Sequence, residues 1–594
     1  MTSYVLLMSV GPVQGFISAA RRSRDLWSGS WMLSELAKSC AKHLHDADCE
    51  MIFPYTEKVQ DLEKDTEFSV GNKIQVVIKN RTDEQVRTLA ANAAAQTRQR
   101  FRELAQEARA SLGNTPLRDQ IWNAQIDDYL EIQSAWAEIG AEGYLDAAQK
   151  ATKALAARKA TREFQPSPLS AQNEAFMLPK SSLDGARETV LPEHSKAART
   201  KLRLAESEQL DCAGVAKRAR APKLAEQFTP FSRVAADAWV ETLDQQDLDA
   251  LCRAYEPLVK AELATRVKGN EKIYQHLPYD AQLCYSFRLD AARRDAQGDA
   301  QNSELLSNLM HVLKPIWRKY GHPCAYGVLL LADGDFMGKL IDKAKTQQDH
   351  QNITKQLSAF AQSVPDVVRE YRGHTLYAGG DDVLAFLPLH QSVACAEALS
   401  TKFQTSLADI AQNLDATAPT LSVGLAIAHI VEPLGQTRDL AQRAEKVAKG
   451  DGYPECERRD ALGIALDVRG GNETLLRLRW KDQIAKQTFH DMVKAYMDKT
   501  LPSRVAYDVR ALHQQTAFAL QEADGLGAKI QQAELKRMFD KARTRDGKTI
   551  STEQIQALTH RAALGLNQLA DELIVARWLS AKVQSDLGEE GAVQ

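Results

Sequence analysis

"LYAGGDDVLAFLPL", residues 376–389, sets two glycines and two adjacent carboxylates between apolar runs that have the composition of strands. Such runs flanking a short glycine-containing turn read as a β-hairpin, with Asp381 and Asp382 at its tip. Neighbouring like charges repel, so the turn is either a solvated loop or a cation site. The stretch alone leaves both readings open.

The flanking sequence narrows them. Upstream, "CAYGVLLLADGDFMGKLIDKA" at 324–344 gives a fully apolar strand, a sharp polar turn and a helix; Asp333 ends the strand and Asp335 follows across Gly334. Downstream come a helix near 391–412, a strand "TLSVGLAIAH" at 420–429 and a helix "TRDLAQRAEKVAKG" at 437–450. Strand, helix, hairpin, helix, strand is the order of an α+β palm or ferredoxin-like sheet. If the first strand lies beside the hairpin, Asp333, Asp335, Asp381 and Asp382 converge at one sheet edge. Oxygen-only ligands suit Mg²⁺ or Mn²⁺. Two such ions about 3.5–4 Å apart activate a ribose hydroxyl and stabilise a leaving pyrophosphate. Gly379 and Gly380, without Cβ atoms, let the turn take positive φ and let a triphosphate approach the backbone. Lys449, at the end of the last helix, either complements the helix dipole or reaches the β- and γ-phosphates.

The chain start repeats this unit in outline. "YVLLMSVGPVQGFI" from residue 4 and "YGVLLLADGDFMGKLI" from residue 326 share a tyrosine, an apolar strand, a tight turn and a helix start, which suggests a diverged duplication. Only the second copy carries the carboxylates. A further strand is expected at 72–79, "NKIQVVIK", and the Ala-, Gln- and Arg-rich run from about 84 to 160 has helical periodicity. Residues 161–235 are irregular, with Pro166, Pro168, Pro179, Pro192 and Pro222; helical pattern then resumes to about 315, and returns past Trp480. The expected fold is α+β and multidomain: a first, degenerate palm at 1–160, a linking helical module at 161–315, a second palm at 316–480 and a C-terminal helical domain at 481–594.

Composition excludes some classes. With 44% hydrophobic and 26% charged residues and no apolar run near the ~20 residues needed to span a bilayer, the chain is expected to be cytoplasmic, without membrane contact. Its start, broken by Gly11 and Pro12, lacks the basic region and cleavage site of a signal peptide. Eight cysteines without a C-x-x-C pair argue against a disulfide framework and against a zinc site. Basic clusters at 198–204 ("ARTKLRL") and 216–223 ("AKRARAPK") read as solvated faces, or as surfaces for RNA or a partner.

Taken together, "VGPVQGFISAARRSRDLWSGSWMLSEL", "LLADGDFMGKL", "YAGGDDVLAFLP", "SVGLAIAHIVEPL" and "RAEKVAKG" resemble the Cas ten large subunit, the Cmr-type polymerase/cyclase protein, of type III-B CRISPR effector complexes. The motifs follow in order from about residue 4 to 480. The resemblance implies two palm domains related to nucleotide cyclases and GGDEF proteins, with ATP between them. It also implies partner Cmr-type subunits, CRISPR RNA and target RNA held through the complex, and target-triggered conversion of ATP to cyclic oligoadenylate. By position, Asp333, Asp381 and Asp382 would be catalytic metal ligands and Asp335 an auxiliary one. Gly334, Gly379 and Gly380 would shape the nucleotide site, and Lys449 would contact triphosphate.

Two departures stand out. Many family members open with an HD nuclease domain, whereas this chain begins on the first palm strand. The dipeptides His45-Asp46 and His490-Asp491 read as surface residues, so DNA cleavage by an HD site is not expected. The family's zinc module uses two C-x-x-C pairs; the matching stretches here, "KSSLDGARE" (180–188) and "LDCAGVAKR" (210–218), hold only Cys212, so no zinc is expected. Two alternatives to oligoadenylate synthesis remain: transfer from ATP to another acceptor such as S-adenosylmethionine, and a non-catalytic scaffold with an inert palm. A stand-alone GGDEF-type cyclase is disfavoured by the carboxylate-free first copy and the long helical tail.

Overall fold

The computed structural model describes residues 2–66, 68–161, 178–193, 195–219, 228–468, 473–517, 526–544 and 546–588. The first unit is built from β1 (Tyr4–Gly11), α1 (Ser23–Asp46), β2 (Glu50–Phe53), β3 (Lys73–Ile78), α2 (Asp83–Ser111), β4 (Glu131–Glu138) and α3 (Gly143–Ala160). β1 is the central strand of an antiparallel sheet of order β2-β3-β1-β4. It is apolar on both sides: Leu6, Met8 and Val10 face α1 and α2, while Val5 and Leu7 face α3. That is why its sequence runs hydrophobic without alternation. A capping box at Thr82 and Gln85 starts α2. The helical run expected from 84 to 160 is interrupted by β4, which pairs with β1 from Tyr4↔Glu138 to Gly11↔Glu131. Eight ladder residues outweigh the weak local preference of "EIQSAWAE" for a helix.

The linking region includes α4 (Cys212–Ala219), α5 (Gln245–Lys260) and α6 (Ala300–Tyr320). Residues from Val190 to Ala219 join the first palm's core, so that core extends beyond residue 160. The basic cluster at 216–223 is not a solvated face where it is described. Lys217 is 1% exposed and donates to the carbonyls of Phe16, at 2.7 Å, and Ala19, at 2.5 Å. Arg218 bonds Asp25 at 2.6 Å and Glu208 at 3.0 Å. Residues 220–223, with Pro166, Pro168 and Pro222, lie outside the described residues. In the stretches 180–188 and 210–218, Lys180 bridges Glu188, and Cys212 is buried at the start of α4. Burial, with Asp211 beside it, pushes the Cys212 thiol well above its ordinary range.

The second unit comprises β5 (Tyr326–Asp335), α7 (Gln347–Glu370), β6 (His374–Gly379), β7 (Asp382–Leu387), α8 (Ser392–Asn413), β8 (Thr420–His429), α9 (Leu434–Lys449), β9 (Ala461–Leu466) and β10 (Thr474–Arg479). The sheet order is β10-β9-β8-β5-β7-β6. Its β6-β7-β5-β8 portion repeats the β2-β3-β1-β4 wiring of the first unit. With Tyr326 laid over Tyr4, the pairings Tyr326↔His429 and Tyr4↔Glu138 coincide, and Asp333 falls on Gly11. β9 and β10, which sequence reasoning missed, extend the sheet; β9 runs parallel to β8.

One close approach fixes α9. Gly424 of β8 and Gly463 of β9 are paired neighbours. A Cβ on Gly424 would lie 2.4 Å from the Glu445 nitrogen, and one on Gly463 would lie 2.0 Å from the Ala444 carbonyl oxygen. The two glycines let the α9 backbone rest directly on the sheet, bringing Glu445 and Lys449 to the strand ends. On the opposite face α7 and α8 cover a core that continues into the C-terminal helices α10 (Gln483–Met497), α11 (Val505–Thr516), α12 (Leu526–Lys541), α13 (Thr552–Ala562) and α14 (Leu566–Leu579). Trp480, Phe489 and Trp578 share it with Leu399 and Phe403, so the core is continuous across residue 480. No helix among the described residues is long and apolar enough to cross a membrane.

Candidate active site at the edge of the second sheet

β5 is the middle of the sheet, and its last residues emerge beside the β6–β7 turn. The register Ala332↔Val383 and Gly379↔Asp382 places Asp333 next to Asp382 across the strand pair. Asp382 reaches Asp333 for a side-chain hydrogen bond. Asp381 occupies the turn and packs under Gly334: a Cβ there would lie 2.6 Å from the Asp381 Cβ and 3.0 Å from Phe403. Gly334 therefore makes room for a carboxylate. Gly380 has φ +69° and supplies the left-handed residue of the turn. Gly379 is not at positive φ, so within the pair Gly380 alone supplies the conformation expected of the turn.

The cation at the site comes from α9. Lys449 Nζ lies 2.6 Å from Asp333 Oδ2 and 2.5 Å from Glu445 Oε1. Glu445 was missed by sequence reasoning; its place one turn before Lys449 on the same helix face was the available signal. Burial opposes the ammonium charge, yet Asp333 and Glu445 outweigh it and hold Lys449 above its ordinary pKa. The carboxylates shift the other way. Burial, with Asp333 nearby, pushes Asp381 up to about 6. Burial, the hydrogen bond to Asp333 and the charge of Asp381 push Asp382 up to about 8. Asp382 is itself open to solvent, so protein mass crowds its surroundings without covering it. Three carboxylates and Glu445 against one lysine leave excess negative charge.

Asp335 does not join this group. It is fully buried and accepts hydrogen bonds from Ser422 at 2.8 Å, Thr420 at 2.9 Å, the Asp460 N–H at 3.1 Å and Arg459 at 3.2 Å. These partners fill its acceptor positions and tie β5, β8 and the 450–460 loop together. The expected convergence of four carboxylates is thus a convergence of three, and Asp335 is a buried anchor instead of an auxiliary ligand.

The first palm reaches the same sheet face. Ala20 and Leu26 pack with Leu329, Leu384, Phe386, Leu440 and Ala444, and the buried Lys217 and Arg218 bonds hold that segment in place. Among the described residues the group whose ligand atoms already stand at metal-ligand spacing is not the three aspartates but Asp237, Glu241 and His390. There Arg233, at 3.0 Å, and Arg372 bind the Asp237 carboxylate and already neutralise it.

Comparison with known proteins supports the architecture. Residues 5–114 match the family described as CRISPR-associated protein Cmr2, N-terminal, and residues 325–462 match Cas10/Cmr2, second palm domain. The CRISPR system Cmr subunit Cmr2 of Pyrococcus furiosus is 28% identical over 212 residues; the match covers 30% of this chain and spans 23% of that relative's length. Among solved structures, the apo state of a type III-B Cmr-beta complex aligns over 93% of this chain and 78% of that one, with TM-score 0.61 and 11% identity. The Cmr-beta structure bound to cognate target RNA aligns over 93% and 80%, with TM-score 0.60 and 12% identity. At that identity the likeness is one of fold.

Proposed function

We propose that this chain, which matches the Cmr2 N-terminal and Cas10/Cmr2 second palm families over residues 5–114 and 325–462, is a Cmr2-type Cas10 subunit whose second palm is a metal-dependent nucleotidyltransferase that joins ATP units into cyclic oligoadenylate. The observation that carries this reading is the meeting of Asp333, Asp381, Asp382 and Lys449 at one sheet edge, facing a surface shared with the first palm. Two aspartates, Asp381 and Asp382, pushed towards protonation by burial and by neighbouring carboxylates, Asp333 foremost, are a poor resting arrangement. A dication relieves it, and an all-oxygen donor set suits Mg²⁺ or Mn²⁺.

Asp333, Asp381 and Asp382 would hold the ions. When bound, these supply activation of a ribose hydroxyl and charge stabilisation at the transferred and leaving phosphates. The protein's own groups do the rest. Lys449 stays protonated and offers a point charge to the phosphate chain. Glu445 holds the Lys449 side chain from one helical turn away. The Asp335 anchor fixes the β5 terminus, so Asp333 keeps its place relative to the hairpin. The apolar contact between Ala20, Leu26 and the sheet places the first palm against the same face, where a second nucleotide would be held.

In the cell the chain would work within a type III RNA-guided complex, with target RNA as the trigger. The test is to incubate the assembled complex with target RNA, Mg²⁺ or Mn²⁺ and ATP, with and without S-adenosylmethionine, and to identify products by mass spectrometry. Cyclic oligoadenylate that disappears in an Asp381→Ala, Asp382→Ala variant of intact assembly supports the reading. Product unaffected by those substitutions, or formed only with S-adenosylmethionine, rejects it.

A further inference from the structure

β6 carries an irregularity that its sequence does not announce. The pairing with β7 runs His374↔Phe386 and Thr375↔Ala385, then shifts to Tyr377↔Leu384 and Ala378↔Val383. Leu376 and Tyr377 thus share one position opposite Leu384, the arrangement of a β-bulge. Regular alternation would turn Tyr377 towards α7 and α8, on the side of Ala378's eventual neighbours Val383 and Ala385. The bulge instead puts Leu376 and Tyr377 together on the face with Leu384 and Phe386, the face that also carries Asp333 and Asp382.

The tyrosine then lies along the turn. A Cβ on Gly379 would stand 2.2 Å from the Tyr377 hydroxyl and 2.5 Å from its Cζ. Gly379 is glycine because this ring occupies the side-chain space. The ring is half-buried and its hydroxyl makes no hydrogen bond among the described residues, while burial, then Asp382 and Asp381, raise its pKa. A phenol kept protonated beside a cation site is a hydrogen-bond donor awaiting an acceptor.

We propose that Tyr377, turned onto the catalytic face by the β6 bulge and seated on Gly379, is a positioning residue whose hydroxyl donates to a phosphate oxygen of the bound nucleotide. The assignment rests on the nucleotidyl-transfer reading above and deepens it. The acceptor we assign is an anionic phosphate oxygen, because the phenol stands beside Asp381 and Asp382, the carboxylates read above as holding the ions that bind the phosphates.

The test uses the assembled complex with target RNA, Mn²⁺ and ATP, comparing wild type, Tyr377→Phe and Gly379→Ala. Tyr377→Phe keeps the ring packing and should raise KM for ATP about tenfold, as expected for one lost hydrogen bond to a charged group, with kcat within about threefold and an unchanged thermal midpoint. Gly379→Ala displaces the ring and should raise KM at least as much. A wild-type KM in Tyr377→Phe, or a loss confined to kcat, overturns the assignment of Tyr377 while leaving the nucleotidyl-transfer reading intact. Failure of the wild-type complex to form product from ATP overturns both.

Discussion

Lys449 Nζ sits 2.6 Å from Asp333 Oδ2, joining the last turn of α9 to the end of the central strand β5. The pair is partly exposed, with Lys449 at 22% and Asp333 at 32% of full accessibility, so solvent weakens it as a source of stability. Its importance is positional. Lys449→Met should leave the fold stable while removing the cation paired with Asp333 and Glu445 beside Asp381. We expect KM for ATP to rise about 10- to 100-fold and Mn²⁺ to bind more tightly, measured by product kinetics and by metal titration.

Asp382→Asn tests the carboxylate cluster from the opposite side. Replacing a carboxyl that burial, Asp333 and Asp381 hold towards protonation by a neutral amide should raise the thermal midpoint of the metal-free chain at neutral pH. Product formation should fall by about 100-fold or more. Calorimetry and a product assay on the same preparation check both signs, and a lowered midpoint would contradict the repulsion argument.

Gly463→Ala probes how α9 is placed. Its new Cβ would meet the Ala444 carbonyl oxygen at 2.0 Å, backbone that cannot swing aside. Overpacking of this kind costs about 1–3 kcal/mol, read as a shift in the urea midpoint. Because α9 must lift from the sheet, activity should fall with stability although no catalytic group has changed.

Breaking the buried clamp on the first palm should be more damaging to the fold. Arg218 and Asp25 are each 4% exposed, and Glu208 completes the group. Arg218→Met strands two buried carboxylates, a change worth about 3–5 kcal/mol. Urea unfolding of the single variant and of Arg218→Met with Asp25→Asn should show partial recovery in the double variant.

His374 gives a pH dependence. It is packed against Phe228 and the first palm's Trp27. Burial, then the charge of Arg369, pushes its pKa down to about 3. The unfolded chain binds a proton there near pH 6.5 and the folded one does not. This contribution to stability is therefore complete above pH 6.5 and is lost as pH falls towards 3, by up to ~1.4 kcal/mol per pH unit. His374→Phe should flatten that slope, seen as a smaller drop in urea midpoint between pH 7 and pH 5 than in wild type.

Much of the site could be read from local pattern. "YGVLLLADGD" is apolar without alternation and then ends in carboxylates, and "GGDD" lies between two runs of strand character; both features survive as β5 and the β6–β7 turn. β4 was hidden because "EIQSAWAE" has little strand character of its own and is held by its ladder with β1. β9 and β10 were likewise missed, and they form through pairing with β8 and with each other.

The sequence by itself determined the chemistry available: four aspartates and a lysine, on elements whose order specifies a palm, because residue type and apolar periodicity are local properties. The tertiary structure decided how that chemistry is divided. Asp333 and Asp335 are two positions apart in one strand, yet one faces Lys449 and the other is consumed by Ser422, Thr420 and Arg459. Likewise Tyr377 reaches the catalytic face only through a bulge, and Lys217 turns from a surface charge into a buried clamp. Each outcome depends on which distant backbone lies alongside, a matter of packing and pairing that no local pattern encodes.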